Sequence, residues 1–114
     1  MSEDAYVLVD DIVDGDDGRV YVDDEPFTGQ VREFHPSGLI SGLVWYANGI
    51  EDGLQQVFYA NGQLRSEGQM DHGRKTGIWR EWYSNGQLKS EAQYGEQRMP
   101  LTKRTWAEDG TETT

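Results

Sequence analysis

A spacing of twenty-four residues recurs through this chain and limits its fold more than any other feature. Gly29, Gly53 and Gly77 form one column at that interval, and Phe34, Phe58, Trp82 and Trp106 form another. Gly38, Gly62, Gly86 and Gly110 make a third, and the apolar column Ile40, Leu64, Leu88 ends at Glu112. Columns aligned without insertion identify an internal repeat, whose unit buries its apolar surface only by stacking on its neighbours.

Each copy reads as strand, turn, strand. Pro36-Ser37-Gly38, Ala60-Asn61-Gly62 and Ser84-Asn85-Gly86 supply the first turn, and Asn48-Gly49 and His72-Gly73 supply a second. Pro36 suits the first loop position of a type I turn with a left-handed glycine after it, which favours a three-residue loop. That loop sets Trp82 opposite Leu88. Ile78, Trp82, Leu88, Ala92 and Tyr94 then share a buried face, with Arg80 and Ser90 as misfits on it. Leu54, Phe58, Leu64, Gly68 and Met70, and before them Phe34, Ile40, Val44 and Tyr46, are their counterparts. The opposite face carries Trp79, Glu81, Tyr83, Lys89, Glu91 and Gln93.

The expected fold is therefore all-β: an elongated, single-layer antiparallel sheet of consecutive β-hairpins. Seven or eight strands at about 4.8 Å spacing would span roughly 40 Å, with no crossover. Within one structural domain, residues 27–52, 53–76 and 77–100 are the complete repeats. Residues 101–114 are a partial copy with a loose tail at Thr111–Thr114. Residues 1–26 read as a strand-loop-strand cap whose first four residues fray, built from Tyr6–Val9 and Arg19–Val22 around the acidic stretch Asp14–Gly18.

Charge divides the chain. The net charge is −11, and residues 1–26 hold ten of the twenty-one acids against one base, Arg19. Such a field repels nucleic acid and anionic lipid and hastens encounter with basic proteins, so neither nucleic acid nor membrane is an expected partner. The same acids would also serve as a solvated cap. No run of eighteen apolar residues exists and the start lacks a signal-peptide pattern, so the expected compartment is the cytoplasm. Cysteine is absent, which excludes thiolate chemistry.

No residue pattern points to catalysis, a metal or a cofactor. Asp14 to Glu25 has the length of a calcium loop, but Arg19 stands where its glycine is required and Gly18 offers no side-chain oxygen. A plain acidic turn accounts for it better. His35 and His72 each sit beside a turn without a partner at triad or metal spacing. Glu67 and Glu91 repeat at twenty-four residues, which suits a ladder paired with cations such as Arg65 or Lys89. Trp79, Tyr59 and Tyr83 have two accounts, interface anchors or cross-strand packing that shields the sheet.

The pattern Gly77-x-Trp79-x-x-Trp82-Tyr83-x-Asn85-Gly86-x-Leu88-x-x-Glu91-x-x-Tyr94 resembles the bacterial variant of the MORN repeat, as found in YwqK-like antitoxins. Gly53, Phe58-Tyr59, Asn61-Gly62, Leu64, Glu67, Met70 and Gly73 repeat it. Gly29, Phe34, Ser37-Gly38, Ile40, Tyr46 and Gly49 repeat it more loosely, with Leu43 in place of the glutamate. The resemblance covers residues 27–110. It implies an antitoxin or immunity protein that binds a cognate protein toxin and blocks it; the acidic segment suits a basic toxin, for example a nuclease with a basic groove. Larger MORN proteins resemble scaffolds, and some are linked to phospholipid or appended to enzymes; a non-catalytic scaffold or oligomerisation module is the alternative. The candidate partner-binding residues are Tyr59, Tyr83, Trp79, His35, Glu81, Glu67 and Glu91, with Asp14, Asp16, Asp17, Asp23 and Asp24 of the acidic segment.

Overall fold

A computed structural model describes residues 5–96 and 99–114. The chain is all-β. Strands β1 (Val7–Leu8), β2 (Val13–Asp14), β3 (Val20–Val22) and β4 (Glu25–Pro26) precede the repeats. Then follow β5 (Gly29–Phe34), β6 (Ile40–Ala47), β7 (Ile50–Phe58), β8 (Leu64–Asp71), β9 (Arg74–Trp82), β10 (Leu88–Tyr94) and β11 (Thr102–Thr105). One sheet of eight strands runs β1-β5-β6-β7-β8-β9-β10-β11, and β2-β3-β4 form a small second sheet. The open sheet of consecutive hairpins anticipated from the repeat is what forms, and the molecule measures 48 × 37 × 26 Å.

The repeat is a repeat of geometry. Phe34 pairs with Ile40, Phe58 with Leu64 and Trp82 with Leu88. Each three-residue loop closes in the same way: Tyr83 N–H donates to Gln87 O at 2.8 Å and Gly86 N–H to Tyr83 O at 2.9 Å. Gly86 has φ +89°, a left-handed conformation costly for any residue with a Cβ. The second turns are two-residue hairpins: Asn48 and Gly49 have φ +52° and +81°, and His72 and Gly73 have +50° and +83°. Two successive positive φ values match the right-handed twist of the flanking strands.

One inference from the sequence is corrected. Next to each three-residue loop the register shifts, so that Leu88 faces Trp82 but Ser90 faces Glu81. The same shift follows Leu64 and Ile40. Ser41, Arg65 and Lys89 are the extra residues of three equivalent β-bulges, and a bulge of one residue exchanges the faces of everything beyond it. Ala92 and Tyr94 therefore share a face with Trp79 and Glu81, not with Trp82. Glu91 and Gln93 move the other way and join Trp82, Arg80 and Ile78. Of the two misfits, Ser90 leaves the Trp82 face, and Arg80 stays there with Glu91 opposite it.

The ends depart from expectation too. Tyr6–Val9 does not pair with Arg19–Val22. Val7 and Leu8 run parallel to β5, opposite Val31 and Arg32, which requires a crossover. Val9–Asp11 form a short 3-10 turn, and β2 takes the place beside β3, with Val13 opposite Tyr21. The expected fraying of residues 1–4 lies outside the described residues. Thr111–Thr114 is not a loose tail: Thr113 N–H donates to Thr105 O at 2.8 Å and Thr105 N–H to Thr114 Oγ1 at 2.7 Å. The core is thin, with Val20, Val31, Leu43 and Ala92 its buried apolar side chains, as a single layer requires.

Candidate functional site

Three surfaces carry the polar and aromatic side chains: the edge formed by the stacked three-residue turns, and the two faces of the sheet. On the edge, equivalent residues reach across to the next repeat. Tyr59 Oη donates to Trp82 O at 2.7 Å and Tyr83 Oη to Trp106 O at 2.8 Å, while His35 Nε2 lies 3.0 Å from Phe58 O. Asn61 Nδ2 donates to Ser84 O at 3.0 Å and Asn85 Nδ2 to Glu108 O at 3.3 Å. His35, Tyr59 and Tyr83 thus clamp one hairpin to the next, with their polar atoms engaged inside the molecule.

The Trp82 face bears a charged row set by register. Glu67 stands opposite Arg80, Arg80 opposite Glu91, and Glu91 opposite Arg104. Arg80 Nε donates to Glu91 Oε2 at 2.8 Å, and Arg104 Nη2 to Glu112 Oε1 at 2.7 Å. The Arg104 guanidinium and the Thr114 hydroxyl beside Glu112 hold its carboxyl below the usual range. Alternating signs directly across strands favour one another. Glu67 and Glu91 therefore belong to a self-neutralising ladder through Arg80, not one through Arg65 or Lys89.

On the Trp79 face, Arg65, Lys75, Lys103, Trp79, Tyr94 and Glu81 are among the residues that line a shallow groove of about 310 Å³. Trp79 folds over Gly68, where an added Cβ would lie 2.0 Å from the ring, and its indole N–H donates to Gln69 O at 3.0 Å. Lys75 Nζ stands 4.8 Å from the Trp79 ring centroid and 5.5 Å from that of Tyr94. The bulge residues complete the pattern, with Arg65 5.6 Å from the Tyr59 centroid and Lys89 5.5 Å from that of Tyr83. The sequence places cations at 65, 75, 89 and 103 in plain view; the bulge turns Ala92 to the Trp79 face, and Lys103, opposite it, joins Arg65 and Lys75 there.

The acidic segment, N-terminal to the repeats, forms a fourth group. Asp23 and Asp24, at φ +53° and +67°, make the tight turn between β3 and β4, and both are exposed. Asp14 and Asp16 are exposed as well. Asp17 accepts the Tyr21 hydroxyl at 2.5 Å and the Arg19 N–H at 3.1 Å, and these hydrogen bonds hold its carboxyl below the usual range. The loop between Asp14 and Glu25 is thus an acidic turn fastened by its own side chains. A further cluster escaped the sequence reading: Asp52, Asp71 and His72 bring their polar atoms within 4.8 Å across a hairpin. His72 Nδ1 lies 2.6 Å from Asp71 Oδ1, a contact that raises the imidazole pKa.

The sequence-predicted residues are therefore divided. Tyr59, Tyr83 and His35 lie on the turn edge, Trp79 and Glu81 on one face, Glu67 and Glu91 on the other, and the five aspartates beyond the first repeat. This architecture defines a protein of stacked hairpins that carries charged surfaces. Residues 51–72 and 75–95 each match the sequence family described as the MORN repeat variant. Residues 29–47 and 102–112 lie outside those matches but keep the same loop and register. No curated protein and no solved structure matches the chain. Among the described residues no helix is long and apolar enough to cross a membrane.

Proposed function

We propose that the protein is a non-catalytic binding module that neutralises a basic protein toxin, engaging it through its acidic N-terminal unit. One observation carries this reading: Asp10, Asp11, Asp14, Asp16, Asp17, Asp23, Asp24 and Glu25 are all exposed and share their unit with a single cation, Arg19. Arg19 is itself taken up, its Nη1 donating to Asn48 O at 2.9 Å. The unit is fixed to the first repeat, since Val20 N–H donates to Gly49 O at 2.9 Å and Gly49 N–H to Phe27 O at 2.7 Å. Carboxylates held on a rigid support steer a cationic partner and can occupy the sites its anionic substrate would use.

The test is a pull-down from the native host with the adjacent open reading frame co-expressed. A tight basic partner is expected, released by salt and lost when Asp16, Asp23 and Asp24 are changed to Asn. No partner, or one indifferent to those changes, would overturn the reading. An oligomerising scaffold is favoured by a different observation: among the described residues, β11 ends the sheet with one side unpaired except at Thr105. A solution mass above that of the monomer would support it.

A further inference from the structure

The two faces treat their cations differently. On the Trp82 face, Arg80 and Arg104 are matched by Glu91 and Glu112. On the Trp79 face, Arg65, Lys75 and Lys103 line one groove with Glu81 as the only acid among the described lining residues. None of these three cations has a carboxylate within 4.0 Å among the described residues. Ala92, only 7% exposed, lies at the base. Unneutralised cations over an aromatic floor make a site for an anion that also carries an apolar group, because the rings add contact area where the charges add attraction.

We propose that this groove binds a short acidic peptide segment of a partner protein, its carboxylates on Arg65, Lys75 and Lys103 and an apolar side chain against Trp79 and Tyr94. A nucleic acid strand is the poorer occupant. Its phosphates continue past the groove into the field of a chain of net charge −11, whereas a segment of about five residues is at most about 17 Å long and ends within about two screening lengths, each roughly 8 Å in physiological salt. The site lies on a sheet face, so recognition is by side chains and not by strand addition. It is separate from the acidic unit and independent of the toxin-neutralising reading.

The experiment is a titration of the full-length protein with an acetylated peptide of four glutamates around a central phenylalanine. It is followed by NMR of the indole N–H groups and of the Ser90 and Ala92 amides. Trp79 should shift while Trp45, Trp82 and Trp106 stay as internal controls. Affinity should fall about tenfold or more in Lys75→Glu with Lys103→Glu, and survive in Lys103→Arg and in Asp16→Asn with Asp23→Asn and Asp24→Asn. Thermal unfolding of each variant separates lost binding from lost fold. Four results would overturn the proposal: no shift at Trp79, no loss with the reversed charges, tighter binding of an oligothymidylate of equal charge, or self-association that the three aspartate changes abolish.

Discussion

At the scale of single residues, the sheet depends on small side chains where large ones cross. Gly68 stands in a column with Val44 and Ala92, and nothing in the spacing says why it must be the smallest of the three. The reason is Trp79, whose ring atoms lie 2.0 to 2.6 Å from where a Cβ would be. Gly68→Ala should therefore force the indole off the strand and break its hydrogen bond to Gln69. A loss of about 1 to 3 kcal/mol is expected, the usual cost of overpacking, read from the denaturant midpoint. The Trp79 indole resonance should move with it. If that resonance stays in place, the ring does not rest on Gly68 as described.

At the scale of the element, the hairpin and its three-residue loop were legible in the sequence because Gly38, Gly62 and Gly86 recur with Asn or Ser before them. The β-bulge was not, because Ser41, Arg65 and Lys89 share no chemistry that demands an extra residue. Its trace was indirect: Ser90 fell among apolar neighbours in a bulge-free register. The candidate site suffered accordingly, since half of each face had been assigned to the other. The aromatic column fared differently. Tyr59 and Tyr83 stand out in the sequence, but a column cannot say whether a hydroxyl faces a partner or the next repeat. Their hydroxyls satisfy the carbonyls of Trp82 and Trp106. Tyr83→Phe keeps the ring and leaves the Trp106 carbonyl short of a donor, so it should destabilise by about 1 kcal/mol. Chemical denaturation measures this, and hydrogen exchange should localise the loss to the turn at Ala107–Gly110. A variant as stable as the parent would mean that the hydroxyl does not clamp the repeats.

At the scale of the whole molecule, each hairpin touches only its neighbours, so the array is held at its ends by whatever seals them. The N-terminal unit seals the first end by gripping the Asn48–Gly49 turn, and here two glycines of one column part company. Gly49 and Gly73 have nearly the same backbone, φ +81° and +83°. A Cβ on Gly73 would meet only Ile50 Cγ2 at 3.4 Å, whereas one on Gly49 would meet Arg19 Cβ at 2.7 Å and Val20 O at 2.8 Å. Alanine at either position bears the same left-handed penalty, of about 1 kcal/mol. At Gly49 it must also push away the backbone of β3. Gly49→Ala should therefore cost at least twice what Gly73→Ala does, and only Gly49→Ala should expose the amides of Val20 and Phe27 to rapid hydrogen exchange. Equal losses in the two variants would mean that the acidic unit rests on the repeats without sealing them. It would then be an appendage free to reorient, and a poor rigid support for the carboxylates that a basic partner would meet.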